Sequence, residues 1–239
     1  GLERWLYLFA RKSAGRQLYG WNENIKLIYE KSGSTGSWSE FNRSIKKILL
    51  DNKLLGYTLS TTAWNKETAR ELFKIPLNKK VILFGAMDGI YDYNKGWDLL
   101  SKALKIVGKE MSNCVAVVFG QSSGIDQNQI QMPIFYAGKL RDSQSLAMLY
   151  SSADITIVPS RMESFGQTAS ESISCGTPVI AFDNSGIRDL IIDNKTGYLV
   201  EPYNHNKLGE KIINLLKDDF KLNFFKSQCR EQASSLWSY

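Results

Sequence analysis

The second part of the chain has short apolar runs separated by longer amphipathic stretches. Each run is largely apolar over a few consecutive residues and does not alternate with polar positions. The runs lie at Val81–Phe84, Val115–Phe119, Ile134–Ala137, Ile155–Val158, Val179–Ile180 and Tyr198–Val200. Continuous apolar strands of this kind are typical of a parallel sheet that is buried on both faces.

The amphipathic stretches between these runs predict helices. They span Trp97–Gly108, Ser143–Tyr150, Gly166–Gly176 and Lys207–Leu216. Strands that alternate with helices predict an α/β fold, a Rossmann-like parallel sheet with helices on both faces, which we assign to residues 79–217. Ligands of such sheets bind beyond the carboxyl ends of the strands, where the loops Gly85–Lys95 and Pro159–Gly166 are expected.

Residues 1–78 lack this alternation, and we expect a mostly helical N-terminal segment. Lys66–Phe73 has helical spacing, and Ser37 with Glu40 is typical of a capping box at the start of another helix. Ile25–Ile28 is expected to form a short strand. The segment does not have the pattern of a complete domain.

Composition places the chain among globular proteins. Apolar residues make up 43% of it, and no apolar run approaches the roughly 18 residues that a membrane-spanning helix needs. Cys114, Cys175 and Cys229 stand far apart, which favours reduced thiols, a structural role and a cytoplasmic location.

Positive charge is concentrated at the start of the chain. The net charge is +6, and the first 60 residues hold ten Lys/Arg against five acids, which leaves 10 − 5 = +5 there. A basic segment of this kind can face an acidic acceptor or the inner face of a membrane. The alternative is a solvated basic face, and charge alone does not separate the two.

The chemistry gathers in the stretch Val158–Ile180, which predicts strand, loop, helix and next strand. Glu163 lies in the loop and Glu171, eight positions later, lies within the helix. Between them, the backbone amides of Phe165, Gly166 and Gln167 are expected to be donors of the first helical turn. A helix N-terminus after a glycine-containing loop is a place where phosphate binds.

Several nucleotide-binding motifs are absent from the sequence. The glycines after the first predicted strand do not have dinucleotide-fingerprint spacing, and no Walker sequence is present. No two aspartates stand two positions apart, and the single histidine makes a zinc site unexpected. Diphosphate binding would therefore need a metal-free solution, for which Lys95 and the helix N-terminus at Gly166 are the candidates.

An ordered series of short motifs is shared with a known family. It comprises Phe84-Gly85-Ala86, Lys95-Gly96, Ala137-Gly138, Tyr150, Ala153-Asp154, Pro159-Ser160, Glu163-Ser164-Phe165-Gly166, Glu171, Cys175-Gly176-Thr177-Pro178-Val179 and Thr196–Val200. With this series, residues 79–217 resemble the donor-binding, C-terminal half of family-four retaining glycosyltransferases of the GT-B fold. The resemblance implies transfer of a hexose from a UDP- or GDP-linked sugar, with retention at the anomeric carbon and without metal or another cofactor.

The resemblance also implies roles for individual residues. Glu163 would contact donor-sugar hydroxyls near the reaction centre, and Glu171 would bind the ribose hydroxyls. Lys95 would neutralise charge on the departing phosphate, a catalytic role that we assign to it together with Glu163. Lys139 and Leu140 would pass under the nucleobase, although a plain turn there is the alternative.

Three further members of the substrate site are expected from the same comparison. The amides around Phe165, Gly166 and Gln167 would hold the diphosphate. Many family members carry an arginine after the first strand, where this chain has Ala86 and Met87. Arg161 and Arg188 are the candidates to replace that cation.

Simpler interpretations exist for the two glutamates. Glu171 can be an exposed helix residue, and Glu163 a first-turn acid that the helix dipole stabilises. The motif context favours the transferase. A non-catalytic nucleotide-sugar-binding half, or a partner-dependent subunit, is the main alternative, and an epimerase or phosphorylase of the same fold is a weaker one.

The remaining expectations concern the whole protein. Residues 1–78 are expected to be the tail of an incomplete acceptor domain with its linker, and residues 218–239 a truncated terminal helix, so that the chain is a fragment. The acceptor would be a glycan or a lipid-linked molecule in polysaccharide or glycoconjugate synthesis, with no nucleic-acid partner.

Overall fold

The computed structural model describes residues 25–32, 34–35, 37, 39–41, 43–45, 66–85, 91–121, 123–140 and 143–237. The chain forms two compact units, Gly1–Thr62 and Ala63–Tyr239. The predicted boundaries at residues 79 and 217 stay predictions.

Most described residues of the first unit are helical. Helix α1 spans Ile25–Ser32, so the predicted strand at Ile25–Ile28 is wrong. The physical reason is that Ile25, Ile28 and Tyr29 recur at helical spacing, which a four-residue window cannot reveal. The Tyr29 ring meets the buried ring of Phe41 edge-on, with centroids 4.9 Å apart.

The predicted capping box is confirmed. The Ser37 amide donates to Glu40 Oε2 at 2.8 Å, and the Glu40 amide donates to Ser37 Oγ at 3.3 Å. Residues 39–41 and 43–45 are helical after it. These reciprocal bonds satisfy backbone donors that the first turn of a helix leaves open.

A six-stranded parallel sheet forms the centre of the second unit. Its strands run in the order β3-β2-β1-β4-β5-β6. They span Lys80–Gly85 (β1), Cys114–Phe119 (β2), Ile134–Gly138 (β3), Ile155–Val158 (β4), Val179–Phe182 (β5) and Gly197–Val200 (β6). The strand order reverses between β1 and β4, which places a crevice at their carboxyl ends.

Helices follow the strands as the pattern predicts. They are α2 (Lys66–Leu72), α3 (Trp97–Glu110), α4 (Gln127–Ile130), α5 (Ser143–Ser152), α6 (Gln167–Ser174), α7 (His205–Lys217) and α8 (Asp219–Trp237). Two 3-10 turns lie at Tyr93–Lys95 and Ser185–Ile187. The predicted α/β Rossmann-like fold is confirmed, and the second turn overlaps the turn that Asn184-Ser185-Gly186 predicts. Helix α4 was not expected.

Apolar side chains on both faces of the sheet explain the continuous strands. Ile82 and Phe84 point into a core with α3 and α7, while Val81 and Leu83 point into a second core with α5. These four side chains are at most 4% exposed. Burial on both faces requires apolar residues at successive positions, as the sequence pattern indicates.

A buried charge cluster lies at the opposite end of the sheet from the crevice. Asp154 precedes β4, and its Oδ2 accepts from the Val81 amide at 2.7 Å and from Arg70 at 2.8 Å. Its Oδ1 accepts from Lys66 of α2 and, at 3.3 Å, from Lys226 of α8. One carboxylate therefore joins two helices to the sheet.

Among the described residues, no helix combines the length and apolar character that a membrane crossing requires.

Candidate functional site

Two loops meet at the carboxyl ends of the neighbouring strands β1 and β4. The 3-10 turn Tyr93–Lys95 belongs to the loop after β1, and residues 159–166 form the loop after β4. The Arg161 amide donates to the carbonyl of Asn94 at 2.7 Å. Gly96 approaches the second loop so closely that an added Cβ would lie 2.0 Å from the Pro159 carbonyl oxygen. The two loops thus form one continuous surface.

The two predicted catalytic residues form an ion pair on this surface. Lys95 Nζ donates to Glu163 Oε1 at 2.8 Å, and Ser160 Oγ donates to the same oxygen at 2.8 Å. The Glu163 side chain is 15% exposed and that of Lys95 is 32% exposed. A carboxylate and an ammonium are thereby presented together at the rim of the crevice.

Hydrogen bonds from the segment after β5 to backbone carbonyls hold the Glu163 loop in place. Asn184 Nδ2 donates to the carbonyls of Ser160 and Arg161, at 2.6 and 3.1 Å. The Gly186 amide donates to the Glu163 carbonyl at 3.2 Å, and a Cβ on Gly186 would lie 2.3 Å from the Ser164 carbonyl oxygen. Asn184 and Gly186 were not assigned to the site from the sequence, although an Asn-Ser-Gly turn after a strand is a usable signal.

Helix α6 begins at the predicted point. Gly166 is its N-cap with φ +75°, and no side chain of the described residues caps the helix there. The amides of Ala169 and Ser170 donate back to the Gly166 carbonyl, at 2.9 and 3.0 Å. The first-turn amides before them therefore lie outside the helical hydrogen-bond pattern, as the sequence predicts. Phe165, in the loop before the helix, is 62% exposed.

The Glu171 carboxylate is held by two side-chain donors. Tyr150 Oη donates to Oε2 at 3.0 Å, and Gln167 Nε2 donates to Oε1 at 2.9 Å. Tyr150 is buried, and burial and then the charge of Glu171 raise its pKa, so the hydroxyl stays protonated. The bond to Tyr150 was not expected from the sequence, nor was the use of the Gln167 side chain.

A cleft of about 240 Å³ lies beside this carboxylate. It is lined by Phe119, Gly120, Lys139, Leu140, Leu146, Tyr150, Gln167, Thr168 and Glu171. Lys139 and Leu140 follow β3, so the structure brings the predicted nucleobase residues and the predicted ribose residue into one cleft. A second cavity of about 330 Å³ shares Leu146, Tyr150 and Glu171 with it.

Both arginines that are candidates for a second phosphate cation are paired with carboxylates. Arg161 donates to both carboxylate oxygens of Asp98, at 2.8 and 2.7 Å, and to the Tyr93 carbonyl. Arg188 forms a bidentate ion pair with Asp183, in which Nε donates to Oδ1 at 2.7 Å and Nη2 donates to Oδ2 at 2.9 Å. Both guanidinium groups are therefore already engaged by a carboxylate through two hydrogen bonds.

Metal ligands do not cluster in the described ranges. No group of three or more His, Cys, Asp or Glu side chains there could hold a metal ion. Cys175 lines the second cavity, and burial, with the charge of Glu171, raises its pKa to about 12. The thiol is thus protonated at neutral pH, in keeping with a structural role.

A family model matches most of the second unit. The model of glycosyl transferases group 1 matches residues 65–233. A second model, Replication initiator protein A, matches residues 1–59. That similarity differs from the acceptor-domain tail expected for this segment, and it does not test the prediction that nucleic acid is not a partner. The second match covers too little of the chain to give it a family.

Individual relatives agree with the first assignment. The poly(glycerol-phosphate) alpha-glucosyltransferase of Bacillus subtilis is 32% identical over 140 residues, which are 55% of this chain and 20% of that protein. The chain therefore spans a minor part of this relative.

Solved structures show the same fold. The C-terminal domain of a group 1 glycosyl transferase from Francisella tularensis has a TM-score of 0.62 at 22% identity, over 73% of this chain and 93% of that domain. Anabaena HepE, solved in complex with UDP and glucose, has a TM-score of 0.60 at 19% identity, over 74% of this chain and 48% of HepE.

The predicted resemblance to the C-terminal half of a GT-B glycosyltransferase is thus confirmed. The family match covers more than half of the chain, and the neighbours share its parallel sheet and flanking helices. This chain belongs to the glycosyl transferases group 1.

Proposed function

We propose that the chain carries the donor site of a retaining, metal-independent glycosyltransferase that uses a UDP- or GDP-linked sugar. The observation that carries this proposal is the placement of Glu163 and Glu171 on either side of the α6 N-terminus. Glu163 is paired with Lys95, while Glu171 lines a cleft with Lys139 and Leu140. A nucleotide diphosphate sugar would extend along this surface, with its sugar at Glu163, its diphosphate at the α6 N-terminus and its nucleoside in the cleft beside Glu171.

The nucleoside would bind in the cleft of about 240 Å³. Glu171 would accept hydrogen bonds from the ribose hydroxyls, because a carboxylate is an acceptor only. Leu140 offers an apolar side chain, and Lys139 a long aliphatic stem, against the flat face of a base. HepE, a structural neighbour, is described in complex with UDP and glucose, which supports this class of ligand.

The diphosphate would lie at the N-terminus of α6. The amides around Phe165, Gly166 and Gln167 would donate to its oxygens, aided by the partial positive charge of the helix terminus. Lys95 would supply a full positive charge within reach of the same group. These donors would replace the metal ion that many nucleotide-sugar enzymes use.

Cleavage of the sugar–phosphate bond would be assisted by donors at the diphosphate, where negative charge develops. Breaking the bond between the anomeric carbon and the phosphate oxygen leaves the electron pair on the diphosphate. Fixed donors aimed at such an oxygen are commonly the largest catalytic contribution. Glu163 would hold donor-sugar hydroxyls near the anomeric carbon. The acceptor oxygen would form the new bond to that carbon on the face that the diphosphate leaves, and the acceptor proton would pass to the departing phosphate.

Calorimetric titration of the folded chain with UDP and GDP tests the donor site. We expect binding of at least one of them in the presence of EDTA. Glu171→Ala should abolish it, because the ribose hydroxyls lose their acceptor. Glu210→Ala, which removes an exposed glutamate of α7 paired with Lys207, should bind as the wild type does.

Two results would contradict the proposal. One is a folded wild-type chain that binds neither nucleotide, and the other is a Glu171→Ala variant with unchanged affinity. For the whole protein, retention is checked by the anomeric proton coupling of the product in NMR. An inverted product would exclude the retaining mechanism, and donor binding without transfer would favour a non-catalytic or partner-dependent half.

A further inference from the structure

Tyr150 occupies a fixed position at the end of α5. Its side chain is 1% exposed, and its ring meets that of Phe119 edge-on with centroids 5.7 Å apart. Its backbone carbonyl accepts from Thr177 Oγ1 at 2.8 Å, in the loop after α6. The ring is therefore held against the end of β2, and the backbone of the residue is held by the segment that follows α6.

The hydroxyl of Tyr150 donates a hydrogen bond to the carboxylate of Glu171. It donates to Glu171 Oε2 at 3.0 Å, while Gln167 Nε2 donates to Oε1 at 2.9 Å. One donor on each oxygen fixes the plane of the carboxylate. Each oxygen keeps a lone pair for another donor, because a carboxylate can accept about four hydrogen bonds.

We propose that Tyr150 is a positioning residue for ribose recognition, which orients the Glu171 carboxylate toward the 2′- and 3′-hydroxyls of a bound nucleotide. This inference rests on the proposed function, since it assumes that a nucleotide occupies the cleft. The cleft lining includes both Tyr150 and Glu171, so the buried phenol reaches the same carboxylate that the ligand would meet. A carboxylate that is already oriented loses less side-chain entropy on binding.

Tyr150→Phe distinguishes a positioning role of Tyr150 from a role in packing alone. The ring contact with Phe119 would survive in Tyr150→Phe, and only the hydroxyl would be lost. If the hydroxyl serves Glu171, its removal should weaken the binding of ribonucleotides more than that of 2′-deoxyribonucleotides. If the tyrosine only packs, both affinities should change together.

The experiment measures dissociation constants of UDP and 2′-deoxy-UDP, and of GDP and 2′-deoxy-GDP, for the full chain. We expect the wild type to prefer the ribonucleotide by about tenfold or more, the equivalent of one hydrogen bond to a charged group. In Tyr150→Phe the preference should fall to within about threefold. Affinity for the deoxynucleotide should change little.

The matched control is Tyr136→Phe, which removes a tyrosine hydroxyl that interacts with Ile125 in the same unit. It should keep the wild-type preference. Gln167→Ala removes the other donor to Glu171 from an exposed position, so it tests whether side-chain donors orient this carboxylate if Tyr150→Phe does not fold. We expect it to reduce the preference as well.

The outcomes separate this inference from the proposed function. A wild type that binds neither ribonucleotide contradicts both. A wild type that binds without preferring ribose overturns the roles of Glu171 and Tyr150. An unchanged preference in folded Tyr150→Phe, or an equal loss of both affinities in that variant, overturns the positioning role and leaves the donor site standing. If Tyr150→Phe does not fold, an unchanged preference in Gln167→Ala has the same consequence.

Discussion

At the scale of single residues, the site is built from charges that are already paired. Lys95 and Ser160 both donate to Glu163 Oε1, so the glutamate keeps one orientation. The ion pair also keeps the Lys95 ammonium at the rim of the crevice. When a diphosphate binds, Lys95 would share its three donors between the ligand and Glu163.

Lys95→Ala should weaken UDP binding by about tenfold or more, since one charge-assisted hydrogen bond is lost. UMP, which lacks the second phosphate, should be affected much less. Titration calorimetry of both nucleotides measures the difference. Lys105→Ala, an exposed lysine of α3, is the control with the same change in net charge. Equal losses for UDP and UMP would place Lys95 away from the second phosphate.

The residues that carry charge were predictable, whereas their supports were not. The positions of Glu163 in the loop and Glu171 in the helix follow from the loop–helix pattern of the sequence. Asn184 holds the Glu163 loop through two carbonyls, and Tyr150 holds Glu171 across 21 positions of sequence. Such contacts depend on how strands are ordered in the sheet, and local periodicity contains no information about that order.

At the scale of elements, α6 is the part that most directly builds the site. It begins at a residue with φ +75°, and a Cβ there would lie 3.1 Å from Leu190 Cδ1 and 3.2 Å from Ile187 Cγ1. Glycine is required both by the backbone conformation and by this close packing. The helix N-terminus is thereby pressed against the residues that follow β5.

Gly166→Ala should lower the free energy of unfolding by about 1–2 kcal/mol, the cost of a left-handed conformation for alanine. It should also weaken UDP binding, because the first-turn amides must shift. Urea denaturation and calorimetry measure the two effects. Ser174→Ala, at the far end of α6, should change neither by more than about 0.5 kcal/mol. Wild-type stability and affinity in Gly166→Ala would show that the turn can relax without cost.

Strands and helices were predicted correctly where apolar and amphipathic runs form a long series, and wrongly where a run is short and isolated. Every predicted strand between Val81 and Val200 is present, because each is a continuous apolar run within a long series of strands and helices. The run Ile25–Ile28 has no such context, and it forms the start of a helix instead. Helix α4, at Gln127–Ile130, is polar except for the buried Ile130, so periodicity does not reveal it.

At the scale of the whole molecule, the Asp154 cluster joins distant parts of the second unit. Three cationic side chains, those of Lys66, Arg70 and Lys226, surround one buried carboxylate. Burial alone would raise the pKa of Asp154, but the charges of Lys226 and Lys66 outweigh it and lower that pKa to about 2. Burial also lowers the pKa of Lys226 to about 8.

Asp154→Asn should lower the free energy of unfolding at pH 7 by about 3–5 kcal/mol, since it leaves buried cations without their partner. Asp183→Asn, which breaks the exposed pair with Arg188, should cost about 1 kcal/mol or less. Because the folded-state pKa of Asp154 is depressed, its contribution is present above its ordinary pKa of 3.8 and is lost as the pH falls toward 2.

Chemical denaturation of the wild type and both variants from pH 7 to pH 2 checks this prediction. The difference between the wild type and Asp154→Asn should shrink in the acid part of the range. A difference that stays constant down to pH 2 would mean that the ionisation of Asp154 does not supply the stabilisation.

The same cluster determines where this unit can be divided without damage. Arg70 lies in α2, outside the strands and helices that bind the proposed ligand, yet it donates to Asp154 and to the carbonyls of Ser152, Leu77 and Lys79. A chain cut just before β1 would lose this arginine and expose the carboxylate it neutralises. A piece that keeps this cluster complete therefore begins ahead of Lys66 and extends past Lys226, and α2 belongs to the second unit.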